Sequence, residues 1–490
     1  MTSASCRVSL CLIVRNEERN LAACLEPFTD LVDEIIVVDT GSTDGTRELA
    51  GRLGASVTYF PWQDDFSAAR NESLRLATGD WILWLDADDR IDEANREKLR
   101  GLLAQLPAEG RGYVMKTVSF GSHSTAPAMV ISHPRLFPHR PEIRWQGRVH
   151  EQIAPALETA GVPIEMVDIS IHHTGYQDPS IQQRKANRDL RLLRMDYATD
   201  PENPSTLYHL GCAHLRLGQH DSALTYLLLA LKHAGPNPGD WLRRLYAVTS
   251  ETLAKLARHE ESLALASEGL RRFPMDPDLV LRRADLLWDL DDLGAAQRTL
   301  EEFLGSVSPA TYLCHGPEDS FNRRGARSML ACILRSQRQF DQAQRIFQEL
   351  LAERPDDIGT WVNLGYCYLY PGRLKDLEYV ARQLEKCDRG GIYADVMRAE
   401  ACLQKLEFSD ARIYLERAIS NAPQLVWARM VLSDLLMKEG ADRDSCIAAQ
   451  RDILRLDPGN VAALKRLQAL EQGPASPPDL MGWSVTIAAQ

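Results

Sequence analysis

From Val8 to Leu85 the chain alternates short apolar runs with stretches whose apolar positions recur at helical spacing. The runs Val8 to Val14, Glu34 to Asp39 (EIIVVD), Ser56 to Phe60 and Trp81 to Leu85 are rich in β-branched and aliphatic residues and predict strands. Between them the pattern predicts helices over Glu17 to Leu25, from Ser42, Thr43 and Asp44 to near Gly54, and from a Ser67 cap to Gly79. Strands separated by helices of this length join through right-handed βαβ crossovers. The fold class expected for the first part is therefore α/β, a Rossmann-like and mostly parallel sheet covered on both faces.

Beyond residue 180 the rhythm becomes one of paired helices with a period of about 34 residues. In NPSTLYHLGCAHLRLGQHDSALTYLLLALKHA, Leu210, Gly211 and His214 are followed by Ala223, Leu227 and Ala230. The scheme returns with Ala331, Ala343, Phe347 and Pro355, with Trp361, Leu364, Gly365 and Tyr368, and with Ala411, Leu415, Ala418 and Pro423. Small residues let the helices of a pair approach, large ones fill between pairs, and proline ends the second helix. This resembles the tetratricopeptide repeat, in roughly six or seven copies. The expected organisation is an α/β domain over 1–180, a helical linker over 181–203, an all-α repeat solenoid with a capping helix over 204–472, and a flexible proline-rich tail over 473–490 in which Trp483 offers a docking side chain.

Composition narrows the picture. Of 490 residues, 44% are apolar and 25% charged, and the net charge of −12 speaks against a nucleic-acid or anionic-membrane partner. The ten cysteines lie far apart without a CxxC pair, which fits a reducing compartment. The apolar run near the N-terminus stops at Arg15 and Asn16, short for a signal peptide and too short for a membrane span. A cytoplasmic protein with no transmembrane segment is expected.

The stretch WILWLDADDR, residues 81 to 90, carries the main chemical signal. Parallel α/β sheets bind ligands at the carboxyl ends of their strands, and the polar residues Arg15, Asn16, Glu17, Asp39, Asp86 and Asp88 all fall at such ends. In an extended strand end, Asp86 and Asp88 would point the same way and converge on one hard cation, which would relieve their mutual repulsion. The chain lacks the GxxxxGK[ST] phosphate loop and any GxGxxG after the first strand, so a nucleotidyltransferase or dinucleotide-binding reading finds no support.

The segments VSLCLIVRNEERNLAACLE, EIIVVDTGSTDGT and DDFSAARNESLRLATGDWILWLDADD resemble the family-two glycosyltransferases of the GT-A fold, over about residues 8 to 180. The opening LIVRNEE departs from relatives with a proline and a Tyr-Asn pair, and is typical of the subgroup joined to tetratricopeptide repeats. The resemblance implies a nucleotide-sugar donor, a UDP-sugar, and a divalent ion, Mn or Mg, bound through Asp86 and Asp88, with Asp86 also touching the ribose-diphosphate. It implies that Arg15, Asn16 and Glu17 floor the nucleoside pocket and that Asp39 accepts a hydrogen bond from uracil, although Asp39 before Thr40 and Gly41 also suits a turn. Arg70 would lie beside the nucleotide, or be an ordinary surface arginine. Asp44 is expected to cap a helix.

Inverting transfer needs a base for the acceptor proton. In PRLFPHRPEIRWQGRVHEQI, where Arg135, Arg144 and Arg148 accompany His150 and Glu151, the resemblance favours Glu151, with His150 as substitute; Glu151 could instead open a helix. In ISIHHTGY, strand alternation sends His172 and His173 to opposite faces. The resemblance makes His173 a metal ligand; a hydrogen-bonded histidine at the domain junction is the alternative. The expected activity is sugar transfer from a nucleotide sugar to an acceptor, a peptide or protein recruited by the repeats. The alternative is a non-catalytic repeat scaffold carrying a transferase-like domain.

Overall fold

A computed structural model of the chain describes residues 6–107, 110–120, 127–174, 179–235, 241–306 and 319–472. The tail expected over 473–490, with Trp483, and the turn residues Gly175 and Tyr176 lie outside the described residues.

The strands β1 (Val8–Val14), β2 (Glu34–Asp39), β3 (Ser56–Tyr59), β4 (Trp81–Trp84), β5 (Asp89–Arg90), β6 (Gly112–Phe120), β7 (Pro127–Pro138) and β8 (Ile164–His173) form one sheet in the order β3-β2-β1-β4-β7-β6-β8-β5. The first four are parallel neighbours, whereas β4 with β7, β7 with β6, and β5 with β8 pair antiparallel and β6 with β8 parallel. Helices α1 (Leu21–Leu25), α2 (Thr46–Arg52), α3 (Phe66–Leu76), α4 (Glu93–Leu103) and α5 (Ala154–Thr159) accompany them. Both faces of the central strands are buried with a period of two. Leu10, Leu12, Leu83 and Leu85 enter one apolar cluster, and Cys11, Ile82 and Trp84 enter the other. Each fully buried leucine of these clusters contributes about 1.5–3 kcal/mol.

Two helix starts differ from expectation. The first helix begins at Leu21, because Glu17 to Asn20 close a turn in which the N–H groups of Asn20 and Leu21 both donate to Glu17 O. The cap of α3 is Asp65, whose carboxylate accepts from Ala68 N at 3.0 Å. Ser67 instead sends its hydroxyl to Gly147 O.

Helix α6 (Pro179–Thr199) follows β8, α7 (Pro204–Arg216) follows α6, and further helices continue to Gln472. The described residues form two compact units, one of those up to 286 with 319–322, the other of 287–306 with 323–472. Within the first, a Cβ on Gly211 would come 2.5 Å from Leu227 Cγ, so glycine sets the close approach of α7 to helix His220–His233. Within the second, Gly365 does the same against Met397. Among the described residues no helix is long and apolar enough to cross a membrane, and the nine described cysteines are free thiols.

Candidate active site

Because β1, β2 and β4 are parallel neighbours, the loops at their carboxyl ends lie side by side. After β1 the backbone enters the left-handed region at Asn16, with φ of 58°, a geometry asparagine tolerates. The Asn16 N–H donates to Ser42 Oγ at 2.9 Å, and its Oδ1 accepts from Thr43 N at 2.7 Å. Asp39 is fully buried, and its carboxylate accepts from the N–H groups of Gly41 and Ser42, each at 3.1 Å. Both residues thus act on the loop after β2, and neither is among the residues lining the cleft described below. Asp44 is not the cap expected of it: Gly45 caps α2, and Asp44, one residue earlier, accepts from Thr46 N at 3.1 Å in the turn that leads into the helix.

The acidic stretch after β4 departs from an extended strand. Leu85 ends the continuous apolar run, and a turn follows in which Asp89 N donates to Asp86 O at 3.0 Å and Asp86 N donates to Asp89 Oδ2 at 2.9 Å. This turn, rather than strand alternation, gathers the carboxylates. Strand β8 brings in His173, whose Nδ1 lies 3.1 Å from Asp89 Oδ1 and 3.3 Å from Asp88 Oδ1. Thr174 donates to Asp88 O through both N and Oγ1. His172, one residue earlier, lies instead 3.6 Å from Asp92. One ligand atom each from Asp86, Asp88, Asp89 and His173 falls within 4.8 Å of the others. Three carboxylates and an imidazole are a donor set that fits a hard or borderline divalent ion.

Two buried arginines hold this corner together. Arg70 on α3 donates through Nη2 to Asp86 Oδ1 at 2.8 Å and through Nε to Glu151 Oε1 at 2.6 Å. Arg135 on β7 donates to Asp89 Oδ2 at 2.7 Å and to Thr117 Oγ1 at 2.9 Å. Both guanidinium carbons lie 4.5 Å from the centroid of the Trp84 ring, and Arg70 also lies 4.9 Å from that of Trp145. The large apolar residues before the acidic cluster therefore include the aromatic surface on which its counter-charges rest. Arg70 is 7% exposed, which excludes the surface-arginine alternative.

Burial alone would raise the Asp86 carboxyl, but the Arg70 charge, with that of Arg135, more than offsets it and holds Asp86 below the usual carboxylate range. Asp88 has no such arginine, and burial lifts its carboxyl despite His173. Burial likewise raises Glu17, which accepts from Asn20 Nδ2 at 2.8 Å. Burial opposes charge on His173, yet Asp89 and Asp88 raise it above its ordinary value. His150 is the opposite case. Burial brings it down to about 4, its ring stacks on that of His209 on α7 at 4.2 Å, and its Nε2 has no hydrogen-bond partner among the described residues.

A cleft of about 520 Å³ joins these groups, with Arg15, Glu17, Arg70, Asp86, Asp88, His150, Glu151 and His173 on its wall. Glu151 sits before α5, which starts only at Ala154, so it does not serve that helix's first turn. Of the other arginines expected near it, Arg148 pairs with Asp196 at 3.0 Å and Arg144 donates to its own loop at Pro141 O. Sequence reasoning missed Asp89, although it is the third carboxylate of DADD. It also missed Trp62 and Phe66, and the contribution of Lys185, Arg188 and Asp189 on α6 and Arg216 on α7. No local pattern marks the last four, because only the packing of α6 and α7 in this unit brings them to the cleft.

Residues 9–155 match the family model for glycosyl transferase family 2, and residues 204–233 and 328–387 match tetratricopeptide-repeat models. A TPR repeat-containing protein of Synechococcus elongatus is 35% identical over 282 residues, 56% of this chain and 68% of that protein. The SPbeta prophage-derived glycosyltransferase SunS of Bacillus subtilis is 28% identical over 223 residues. That match takes in 44% of this chain, and the chain spans about half, 51%, of SunS. A crystal structure of a tetratricopeptide repeat protein from Parabacteroides merdae overlays with a TM-score of 0.40 at 17% identity, over 52% of this chain and 94% of that one.

Proposed function

We propose, on the premise that this chain belongs to glycosyl transferase family 2 and carries tetratricopeptide repeats behind its transferase domain, that it moves a sugar from a UDP-sugar to a peptide or protein acceptor recruited by the repeats. The observation that carries this reading is the meeting of Asp86, Asp88, Asp89 and His173 within 4.8 Å, in a cleft shared with Glu151. Asp86, Asp88 and His173 would hold manganese or magnesium, with Asp89 tied to Arg135 behind them. The ion, when bound, supplies positive charge against the diphosphate.

The chain's own residues do the rest. Glu151 takes the proton of the acceptor nucleophile as that nucleophile bonds to the anomeric carbon and the bond to the diphosphate oxygen breaks, with inversion. Arg70 fixes the Glu151 carboxylate, so the base is oriented before the acceptor arrives. Arg15 and Glu17 border the nucleoside. Asp39 and Asn16 support that border by shaping the loop after β2, and we assign them this indirect part in place of direct contact.

The test is a thermal-shift screen of UDP-glucose, UDP-N-acetylglucosamine, UDP-galactose and GDP-mannose with and without Mn²⁺. Stabilisation by one UDP-sugar that requires the ion, and that Asp88→Ala abolishes, supports the reading. Stabilisation by none of them, together with an absence of donor hydrolysis, would leave the scaffold alternative.

A further inference from the structure

Glu151 extends from a short loop, residues 146–152, that closes on itself and is gripped from outside. Gln146 and Gln152 exchange backbone hydrogen bonds at 3.0 and 2.9 Å across its base. From α3, Ser67 sends its hydroxyl to Gly147 O, and Phe66 N donates to Arg148 O at 2.8 Å. The three residues before Glu151 then lean in turn on α6 and α7. Arg148 pairs with Asp196 of α6 at 3.0 Å. Val149 is buried in one apolar cluster with Leu190 and Leu193 of α6 and Leu210 and Ala213 of α7. His150 stacks on His209 of α7.

The stack is the contact nearest the proposed base. His150 has φ of 56°, a left-handed conformation that a residue with a side chain keeps only where its surroundings hold it. Its ring and that of His209 lie 4.2 Å apart, centroid to centroid, and within 13° of parallel. His150 Nε2 has no hydrogen-bond partner among the described residues, so at that nitrogen packing alone fixes the ring. His209 lies outside residues 9–155, the part matched to the transferase family, and inside 204–233, the first segment matched to a repeat.

We propose that His209 is a positioning residue for sugar transfer: by stacking on His150 it fixes the backbone from which Glu151 extends, and so sets where the base meets the acceptor nucleophile. This rests on the transferase reading above. Arg70 holds the carboxylate end of Glu151, and His209 steadies its backbone end. A side chain anchored at both ends keeps one orientation, and proton abstraction is sensitive to displacements of that group. Donor binding is built elsewhere, on the turn after β4. The consequence is that the first repeat helix aligns the base, so transfer depends on the repeat region in a way that donor binding does not.

The experiment uses the full-length chain with saturating Mn²⁺ and follows hydrolysis of the UDP-sugar that stabilises wild type. The variants are His209→Ala, His209→Phe, Glu151→Gln and His209→Ala combined with Glu151→Gln. His209→Ala should lower kcat by about ten- to hundredfold, the scale of loss when a reacting group is misplaced by about an ångström. The donor KM and the affinity for UDP should not change, and His209→Phe, which keeps a ring in the stack, should restore most of the rate. In the Glu151→Gln background His209→Ala should cost nothing further, because no base is left to misplace. An equal loss in both backgrounds, or weaker UDP binding in His209→Ala, would mark a merely structural part and overturn the inference, as would wild-type kcat. Should His209→Ala not fold, His209→Leu keeps the buried volume without the flat ring and carries the same comparison. If wild type neither binds nor hydrolyses a UDP-sugar, or Glu151→Gln turns over like wild type, the reading beneath this inference fails and takes it along.

Discussion

Arg70 Nε lies 2.6 Å from Glu151 Oε1 while the same guanidinium reaches Asp86 at 2.8 Å, so one side chain joins the residue proposed as base to a residue proposed as metal ligand. Both acids depend on it for their position. Arg70→Met should destabilise the protein by about 3–5 kcal/mol, the usual result of removing one partner from a buried ion pair. Arg70→Lys keeps the charge but lacks the two-pronged reach, and should recover only part of the loss. Urea denaturation of the two variants decides this, and a loss below about 1 kcal/mol for methionine would contradict a buried, two-sided pairing.

Glu151→Gln retains an oxygen that can accept from Arg70 Nε, so the corner should keep its shape. Donor-dependent thermal stabilisation should persist while transfer, or hydrolysis of the UDP-sugar, falls by about a hundredfold or more, the usual share of a general base. Turnover near that of wild type would remove Glu151 from this part.

Asp88 and Asp89 are adjacent yet should respond oppositely to neutralisation. Asp88 is half-buried, with no arginine bonded to it among the described residues, and burial raises its carboxyl. Asp88→Asn should therefore leave thermal stability unchanged or raised while abolishing the shift caused by Mn²⁺. Asp89 is fully buried and bonded to Arg135 at 2.7 Å. Asp89→Asn should cost about 3–5 kcal/mol whether or not metal is present. Equal stability losses in the two variants would refute the distinction.

The stacked His150 and His209 rings make stability depend on pH. His150 titrates at about 4 in the folded chain against an ordinary value of 6.5, and burial holds His209 far below its ordinary value as well. Between these values the unfolded chain binds the proton and the folded chain does not. The His150 contribution is therefore complete above 6.5 and is lost as pH falls towards 4, with an upper bound of about 3 kcal/mol. Replacing His209 by Phe keeps a ring in the stack and removes one titrating group. The decline in unfolding free energy from pH 7.5 to pH 5 should become shallower in that variant, and an unchanged slope would contradict this account.

In the second unit, adjacent glycines offer an internal control. A Cβ on Gly390 would collide with the backbone oxygen of Leu384, whereas one on Gly391 meets nothing within 4 Å. Gly390→Ala should destabilise by about 2–3 kcal/mol. Gly391→Ala, near the start of helix Gly390–Gln404, should be neutral or stabilising by up to about 1 kcal/mol. Similar values for the two would be inconsistent with this backbone contact.

These cases also show which features a sequence makes legible. Glu34–Asp39 emerges as a strand with the expected ends, because an aliphatic, β-branched run bounded by turn residues has few other ways to be buried. The family match and the repeat matches agree with the two rhythms read from the chain. The start of α1 was not legible, since the turn from Glu17 to Asn20 that delays it is held by Thr46, whose hydroxyl accepts from Glu17 N across 29 residues. Ser67 and Asp65 are both good caps, and the choice between them falls to Gly147, which engages the Ser67 hydroxyl from 80 residues away. The residue types at the site were readable, but whether Arg70 faces a ligand or two carboxylates depends on Glu151, 81 residues on.

Strand β8 has a consequence for biosynthesis. It supplies His173 to an acidic cluster some 84 residues upstream, and α6 follows it with Lys185. A nascent chain released as far as β7 already has the parallel strands and the aspartates, but neither the imidazole that faces them nor the Lys185 ammonium that lines the same cleft. Until α6 has left the ribosome, the growing polypeptide carries an acidic corner short of two of the positive groups that belong to its finished surroundings.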